Sequence, residues 1–314
     1  MTFDRNQLKS AVGDFATKGV FIGTSSWKYP GWLGQLYERD RYIWRGKFSN
    51  ARFERLCLTE YAQVFKTVSV DAAYYQFPRR EWLEEMVSQV TDDFRLTLKV
   101  TDEITLKKFP NQPRFGHRAG QPNPNFLNAD LFNSAFLAAC EPFRSNLGVL
   151  IFEFSQFHSG DFARGREFVA ALDEFLSKLP RGWRYGVEIR NRNLLQPEYF
   201  AVLARHGAAH VFNSWQDMPP VAEQAALPGS RTSPEFVAAR FLLRPGRKYD
   251  EAVKLFSPYD QTKDPYPEGR RAAASLVRES LTAENRTQAF IYLNNRFEGN
   301  ALESIAAILS AAEA

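Results

Sequence analysis

Short apolar runs alternate with longer amphipathic segments along the whole chain. Eight runs rich in β-branched and aliphatic residues are predicted strands, and they span 19–25, 66–72, 94–100, 148–154, 185–190, 208–213, 237–243 and 288–295. Seven segments repeat apolar residues at helical spacing and are predicted helices; these are 54–65, 80–90, 131–143, 165–179, 197–207, 267–284 and 300–314.

This order of elements indicates an α/β fold. Strands that alternate with helices predict a parallel sheet with right-handed crossovers, and eight such units predict closure into a (β/α)8 TIM barrel. An open, doubly wound sheet is the alternative. The 314 residues, 44% of them hydrophobic, fit a single domain over 1–314 with a core at about 19–312 and an N-terminal extension at 1–18. Two ordinary domains would also fit, but no shift in composition marks a boundary.

The connections between these elements are unequal in length. Four long ones follow the C-terminal ends of predicted strands, at 26–50, 102–130, 214–235 and 244–269. Connections at the opposite end are short, such as 180–184. Because loops at the C-terminal ends of the strands build the active sites of barrel enzymes, this asymmetry predicts the functional face.

Charged residues occur inside several predicted strands. Side chains alternate between the two faces of a strand, and the outer face of a barrel strand packs against helices and is apolar. Glu188 and Arg190 flank Ile189, so both are expected to point inward. By the same alternation, four more charged side chains near the ends of other strands are expected to point inward: Asp71, Lys99, Glu153 and Arg240. Three acids and three bases should therefore meet at the barrel mouth, where pairing offsets the cost of burial.

Two interpretations of these six residues stay open. As a ligand or catalytic site, the cluster would use Glu188 as general acid or base and Asp71 or Glu153 as a second, orienting carboxylate. Lys99 would act with this catalytic group and also help to hold an anion, together with Arg190 and Arg240. The second interpretation is a structural ion-pair network that closes the mouth.

Residues near the strand ends supply further candidates for substrate binding. Trp27 and Tyr29 in "SWKYPGW" could stack on a planar ligand or could anchor their own loop. Tyr74 follows the second strand. Asn294 and Asn295 end the eighth strand, and one of them should point inward.

The start of the last helix offers a weaker candidate. Gly299 and Asn300 precede it, and a helix N-terminus after the eighth strand can bind an anion. The alternative is an ordinary cap by Asn300, with Glu303 completing a capping box.

Cofactor motifs give little direction. His206 and His210 are four apart, but they lie at the entry to the sixth strand, which is the wrong end of a barrel for a metal site. No metal ligands are therefore assigned, although a metal held by carboxylates stays open. The chain has no P-loop, GxSxG or GxGxxG motif, so no nucleotide cofactor is assigned.

Composition and charge limit the partners only loosely. The formal charge is +4, from 40 basic and 36 acidic residues, which allows an anionic ligand without indicating nucleic-acid binding. Two cysteines make no disulfide framework, which favours a reducing cytoplasm. Neither an apolar signal-peptide core nor a run of about 18 apolar residues occurs, so no membrane association is expected. The oligomeric state stays open.

An ordered set of motifs resembles a known family. "FIGTSSWKYPGW", "FRLTLKVTDEIT", "YGVEIRN" and "YLNNRFEGNA" fall in the order and spacing of the domain of unknown function 72 (YecE-like) family, over about residues 20–310. The resemblance implies a TIM barrel, and the family has no established activity. The positions that match the family pattern are Gly23, Thr24, Trp27, Tyr29, Lys99, Glu188, Arg190, Arg240, Asn294 and Asn295.

The chain departs from this pattern at several positions, which indicates a divergent member. Ser69 and Asp71 stand where the family usually has Glu-x-Asn, and Glu153 stands where it has Gln. Leu106 and Leu242 stand where it has histidines. If those histidines serve a shared reaction, this protein has lost or changed it.

The features together favour an enzyme, hydrolase- or lyase-like, that acts on a small anionic substrate at the barrel mouth. The alternative is a non-catalytic binding protein for nucleic acid or a metabolite, and the missing histidines favour it. A steep loss of binding to single-stranded nucleic acid with rising salt would distinguish the nucleic-acid binder.

Overall fold

The eight predicted strands pair side by side into a closed parallel barrel. The computed structural model describes residues 3–282 and 287–313. In chain order the barrel strands are β1 Val20–Thr24, β2 Thr67–Val70, β3 Arg95–Lys99, β4 Leu147–Phe154, β5 Tyr185–Ile189, β6 Ala209–Ser214, β7 Phe236–Phe241 and β8 Gln288–Leu293. Strand β1 pairs with both β2 and β8, which closes the ring. The (β/α)8 fold is confirmed, and each predicted strand end lies within two residues of the observed one.

Helices surround the barrel. Those of eight residues or more are Arg5–Thr17, Asn50–Tyr61, Arg80–Val87, Gly165–Ser177, Pro197–His206, Tyr249–Phe256, Pro267–Thr282 and Ala301–Glu313, and the shorter ones include Ala72–Tyr75, Asp102–Thr105 and Val221–Ala226. A helix is present at the predicted position 131–143, but its type changes along the chain: it is α-helical at Ala129–Leu131, π-helical at Phe132–Leu137, α-helical again at Ala138–Cys140 and 3-10 helical at Glu141–Asn146. Predicted helix ends at 283–284 and 314 lie outside the described residues. No helix in the described ranges is long and apolar enough to cross a membrane.

The helix Arg5–Thr17 lies in the segment that the sequence placed before the core. The side chain of Asp4 caps it by accepting hydrogen bonds from two backbone amides. Its Leu8, Val12 and Phe15 are buried, and the helix packs against β1 and the last helix. The described part of this segment therefore belongs to the packed core.

Side chains on the barrel strands alternate between two apolar layers. The outward layer packs against the helices and includes Val68, Val70, Leu96, Leu98, Val187 and Ile189. The inward layer fills the barrel with Phe21, Val149, Ile151, Ala209, Val211, Phe236, Ala238, Phe290 and Tyr292. The Tyr292 hydroxyl lies 2.9 Å from the Thr67 hydroxyl and 2.5 Å from the Thr97 hydroxyl. Because side chains fill the barrel interior, a binding site is expected among the residues at the C-terminal ends of the strands.

The long connection after β1 contains a small hairpin that the sequence pattern did not predict. Two-residue strands, Ile43–Trp44 and Lys47–Phe48, pair antiparallel. Arg45 and Gly46 turn the chain between them with φ angles of 50° and 77°. A strand of two residues is too short for any hydrophobic period to be recognised.

His210 is buried on the outward face of β6. Its ring lies 4.9–5.7 Å, between centroids, from those of Tyr199, Phe200 and Phe212. Burial lowers the pKa of His210 to about 3. Below pH ~6.5 the unfolded chain takes up a proton at this residue and the folded chain does not. His210 should therefore reduce the free energy of unfolding by about 1.4 kcal/mol per pH unit between pH ~6.5 and 3.

The substitution His210→Phe should remove this pH dependence. It keeps an aromatic ring in an aromatic site and has no titrating group. We expect the difference between wild type and variant, measured by urea denaturation from pH 7 to 4, to shift in favour of the variant as the pH falls. The same change at the exposed His117 is the control. A difference that stays constant with pH would contradict the neutral state of His210.

Candidate functional site

Six charged side chains meet at the C-terminal end of the barrel. We call this group the mouth cluster, and its members are Asp71, Lys99, Glu153, Glu188, Arg190 and Arg240. Each lies in or directly after a barrel strand, in the phase that points inward. The structure thus brings together all six residues that the strand alternation placed there.

Glu153 is the centre of the mouth cluster. Its Oε2 lies 2.9 Å from Lys99 Nζ and 2.8 Å from a guanidinium nitrogen of each of Arg190 and Arg240. Burial disfavours the charged carboxylate, but the three cations together outweigh it and hold the pKa of Glu153 well below its usual range. Glu153 is therefore an ionised hub on which three cations converge.

Glu188 lies deeper than Glu153 and is fully buried. Its Oε1 is 3.1 Å from Arg190, and its Oε2 is 2.6 Å from Arg240. Burial disfavours the charge on Arg240, but Glu188, Glu153 and Asp71 outweigh it and raise the pKa of Arg240 above its usual value. Both oxygens of Glu188 are thus committed to holding guanidinium groups in place.

Asp71 differs from the other two carboxylates. Its side chain is 40% exposed, whereas that of Glu153 is 6% exposed and that of Glu188 is 0% exposed. Its Oδ1 lies 3.8 Å from Lys99 and 3.5 Å from Arg240, which is longer than a strong charged hydrogen bond. Asp71 is therefore the loosely held member of the mouth cluster that faces solvent.

Two aromatic rings cover cations of the mouth cluster. The ammonium of Lys99 lies 3.9 Å from the centre of the Tyr74 ring, and the guanidinium of Arg190 lies 3.7 Å from that of Trp215. Burial raises the pKa of the Tyr74 phenol, and the charge of Glu153 raises it further. Sequence reasoning missed Trp215. The available signal was its place directly after β6, where "NSW" repeats the "SSW" that follows β1.

Trp27 and Tyr29 occupy different environments. Trp27 is 8% exposed, and its carbonyl accepts a hydrogen bond from the Tyr37 hydroxyl, which ties its loop to the core. Tyr29 is partly buried beside Trp32, 4.8 Å between ring centres. Burial raises the pKa of Tyr29 to about 12, Arg296 opposes this, and Asp71 adds to it. Tyr29 is thus close enough to the mouth cluster for the charge of Asp71 to affect its pKa, whereas Trp27 anchors its own loop.

The two asparagines after β8 separate in the structure. Asn294 is buried in the inward phase, and its Oδ1 accepts a hydrogen bond from the Arg296 amide at 3.0 Å. The Oδ1 of Asn295 instead accepts from the Ala301 amide at 2.8 Å and so caps the last helix. Only Asn294 continues the set of inward-pointing residues of β8, as expected from the alternation of side chains along a strand.

The N-terminus of the last helix is capped by the chain itself. The Oδ1 of Asn300 accepts from the amides of Leu302 and Glu303 at 2.9 and 3.1 Å. The Glu303 carboxylate accepts from the Thr262 amide at 2.8 Å and thus binds a different loop. The cap by Asn300 is the arrangement observed, and Glu303 serves a tertiary contact in place of the capping box.

Asn213, which the sequence analysis did not single out, also lies at the mouth. It is fully buried in the inward phase of β6, and its Nδ2 donates to the Ile189 carbonyl at 3.0 Å. Its Oδ1 has no partner among the described residues, and neither has the hydroxyl of the buried Ser69. The signal was available, because Asn213 is in phase with the inward Ala209 and Val211. Buried polar atoms of this kind commonly bind ordered water.

Histidines and carboxylates do not form a metal centre in the described parts of the chain. No group of three or more His, Cys, Asp or Glu side chains within residues 3–282 and 287–313 is arranged to hold an ion. His206 lies 2.6 Å from Asp173, and His210 lies 3.2 Å from the Tyr199 hydroxyl. Each of these two histidines therefore has a structural partner.

A closed (β/α)8 barrel with a charged cluster at its C-terminal mouth defines a TIM-barrel protein with a candidate site at the usual end of the fold. The family model described as protein of unknown function DUF72 matches residues 21–314. The chain therefore belongs to the DUF72 family, as its motifs indicated.

Similar proteins support the same assignment. The UPF0759 protein YecE of two Escherichia coli strains is 25% identical over 182 residues, 58% of this chain and 50% of YecE, so the chain spans about half the length of these relatives. Solved DUF72 structures from Enterococcus faecalis and Thermotoga maritima match with TM-scores of 0.60 and 0.56 at 19% and 18% identity. Each covers 94% of this chain, and the matches span 96% and 98% of those chains. These likenesses show the fold and assign no activity.

Proposed function

We propose that this protein is a hydrolase- or lyase-like enzyme that acts on a small anionic substrate at the barrel mouth. Asp71 is the general acid–base group, and Lys99 and Arg240 hold the anion. The observation that carries the proposal is the exposure of Asp71, because the only open carboxylate of the mouth cluster lies beside two cations. Acid–base catalysis needs a carboxyl group that can reach the substrate.

An anion can enter this cluster although its three acids and three bases balance. The contacts of Glu153 and Glu188 to the cations are 2.6–3.1 Å, whereas those of Asp71 are 3.5 and 3.8 Å. The Asp71 contacts are the weakest and the most exposed to solvent, so they are the least costly to exchange. A substrate anion would take the place of the Asp71 carboxylate on Lys99 and Arg240, and Asp71 would then face the bound substrate.

The other members of the site support this arrangement. The sequence analysis assigned the acid–base role to Glu188. We assign it to Asp71 instead, because Glu188 is fully buried and each of its carboxylate oxygens pairs with an arginine. Glu188 and Glu153 are then positioning residues. The remaining candidates for substrate contact or for shaping the mouth are Arg190, Tyr74, Tyr29, Trp27, Asn294 and Asn295, and Trp215 joins them.

Inorganic phosphate is the first probe of the anion site. A ligand that binds only the folded state raises the melting temperature, so phosphate should stabilise the wild type. The variant Lys99→Met should lose most of this shift relative to its own melting temperature without phosphate. The variant Lys254→Met, at an exposed lysine of the helix Tyr249–Phe256, should keep it. Equal shifts in all three proteins would place phosphate away from the mouth and contradict the proposal.

A non-catalytic binding protein is the competing function. It would show the same phosphate shift but no turnover of any member of a panel of phosphate monoesters and carboxylic esters. Turnover by the wild type is therefore the measurement that separates the two.

A further inference from the structure

A second concave site lies beside the mouth, between the loops that follow β3 and β4. This side cavity has a volume of about 370 Å3 and is lined by residues 105–111, Gly120, 155–158 and Asp161. No member of the mouth cluster is among its lining residues. Its volume falls within the range of about 300–1,000 Å3 that is usual for small-molecule pockets.

Apolar side chains form part of the walls of the side cavity. Leu106 and Phe109 are buried, and Phe157 is half-buried and belongs to a cluster of phenylalanine rings. Walls of this kind bind the face or edge of a planar ring. The body of a ligand in this cavity is therefore expected to be flat and apolar.

The charged groups of the side cavity favour an anion. The ammonium of Lys107, which lines the cavity, lies over the rings of Phe126 and Phe162, 5.2 and 4.9 Å from their centres. Lys108 is exposed and also lines the cavity. The one lining carboxylate, Asp161, accepts a hydrogen bond from the His158 amide at 2.7 Å. Two lysines against one carboxylate give the rim of the cavity an excess of positive charge.

The wall from the long loop after β3 is held in place rather than loose. Arg114 pairs with Asp102 at 2.6 Å, and Arg118 pairs with Glu103 at 2.8 Å. The Nδ2 of Asn123 donates to two backbone carbonyls, each at 2.8 Å. A loop fixed by several such bonds gives a preformed cavity, which lowers the entropy cost of binding.

We propose that the side cavity binds a small aromatic carboxylate, with its ring against the apolar walls and its carboxylate at the lysine rim. This site goes beyond the proposed chemistry at the mouth and does not depend on it. The ring supplies contact area, and the lysines select a negative charge over a neutral group of the same shape.

The test uses 2-naphthoate as probe and neutral 2-naphthamide as its matched comparison, each titrated by calorimetry. The wild type should bind 2-naphthoate with a dissociation constant below about 1 mM, and 2-naphthamide about two- to fivefold more weakly, as expected for an exposed charge contact. Gln156→Trp places a large side chain in the cavity and should weaken 2-naphthoate binding by about tenfold or more. Gln7→Trp, on the exposed face of the first helix, should leave it unchanged.

A charge variant keeps the test decisive if Gln156→Trp fails to fold. Lys108→Gln should weaken 2-naphthoate by about two- to fivefold and leave 2-naphthamide unchanged. Lys99→Met, in the mouth cluster, should affect neither probe. Absence of 2-naphthoate binding to the wild type, equal binding of the two probes, or loss of binding in Lys99→Met would each overturn the proposal. The last result would place the ring at the mouth.

Discussion

Replacing Glu153 with glutamine should lower the free energy of unfolding by about 3–5 kcal/mol, the usual cost of removing one partner from a buried ion pair. The change keeps the size of the side chain, so it creates no cavity. What it removes is the charge on Oε2, which three nitrogen atoms share at 2.8–2.9 Å. Lys99, Arg190 and Arg240 would then face one another around a neutral amide. Urea denaturation at pH 7 measures the loss.

The same substitution should matter less in acid. The pKa of Glu153 is lower in the folded protein than in the unfolded chain, so its stabilisation is complete above pH ~4.3 and declines as the pH falls towards the folded pKa. The gap in unfolding free energy between wild type and variant should therefore narrow below pH ~4.3.

Glu174→Gln provides a matched control for the Glu153 substitution. Glu174 also lies 2.8 Å from a cation, Lys178, but both side chains are more than half exposed. Exposed pairs contribute little, so this control should leave the unfolding curve nearly unchanged. Equal effects at Glu153 and Glu174 would show that the contacts of the mouth cluster do not stabilise the fold.

Asp71→Asn should leave the protein folded and reduce turnover by about 10²- to 10⁴-fold, the range for loss of a general acid or base. The assay uses the esters that the wild type turns over. Its stability should change by less than about 1 kcal/mol, because the side chain is 40% exposed and its contacts are long and screened. The variant should also bind phosphate more tightly than the wild type, because the charge that competes for Lys99 and Arg240 is gone.

This combination of results distinguishes the acid–base role from other roles of Asp71. A purely structural aspartate would change stability and phosphate affinity without a specific loss of turnover. Asp93→Asn is the control, because Asp93 is an exposed aspartate that lies 2.7 Å from Lys66 and away from the mouth. Full turnover by Asp71→Asn would remove Asp71 from the mechanism.

The convergence of the mouth cluster could be predicted from sequence, but the roles within it could not. Period-two alternation is enough to point Glu188 and Arg190 into a barrel. The depth of each side chain along the barrel axis decides its access to solvent. Asp71 follows the last residue of β2, whereas Glu153 and Glu188 each precede the last residue of their strands. Asp71 thus lies about two residues further along its strand than the two glutamates do. Strand ends predicted from a sequence are uncertain by about the same amount, so the sequence could not show which carboxylate is exposed.

The loops show a second limit of sequence reasoning. Trp215 and most residues that line the side cavity lie in connecting loops. These loops have no hydrophobic periodicity, so the sequence does not predict which residues they contact. Contacts such as Arg114 with Asp102 join residues through the folding of a long loop. Only the folded chain brings these residues together.

The shared oxygen of Glu153 also bears on how this protein can evolve. Three nitrogen atoms share one acceptor oxygen. The effect of a substitution at one member of the mouth cluster on the free energy of unfolding therefore depends on which residues occupy the other positions. Asp71 directly follows β2 and Glu153 lies in β4, two strands that are not neighbours in the barrel, yet both carboxylates contact Lys99 and Arg240. We expect lineages to drift at this mouth through paired substitutions, so that ancestral intermediates carrying only one such change would be the less stable proteins.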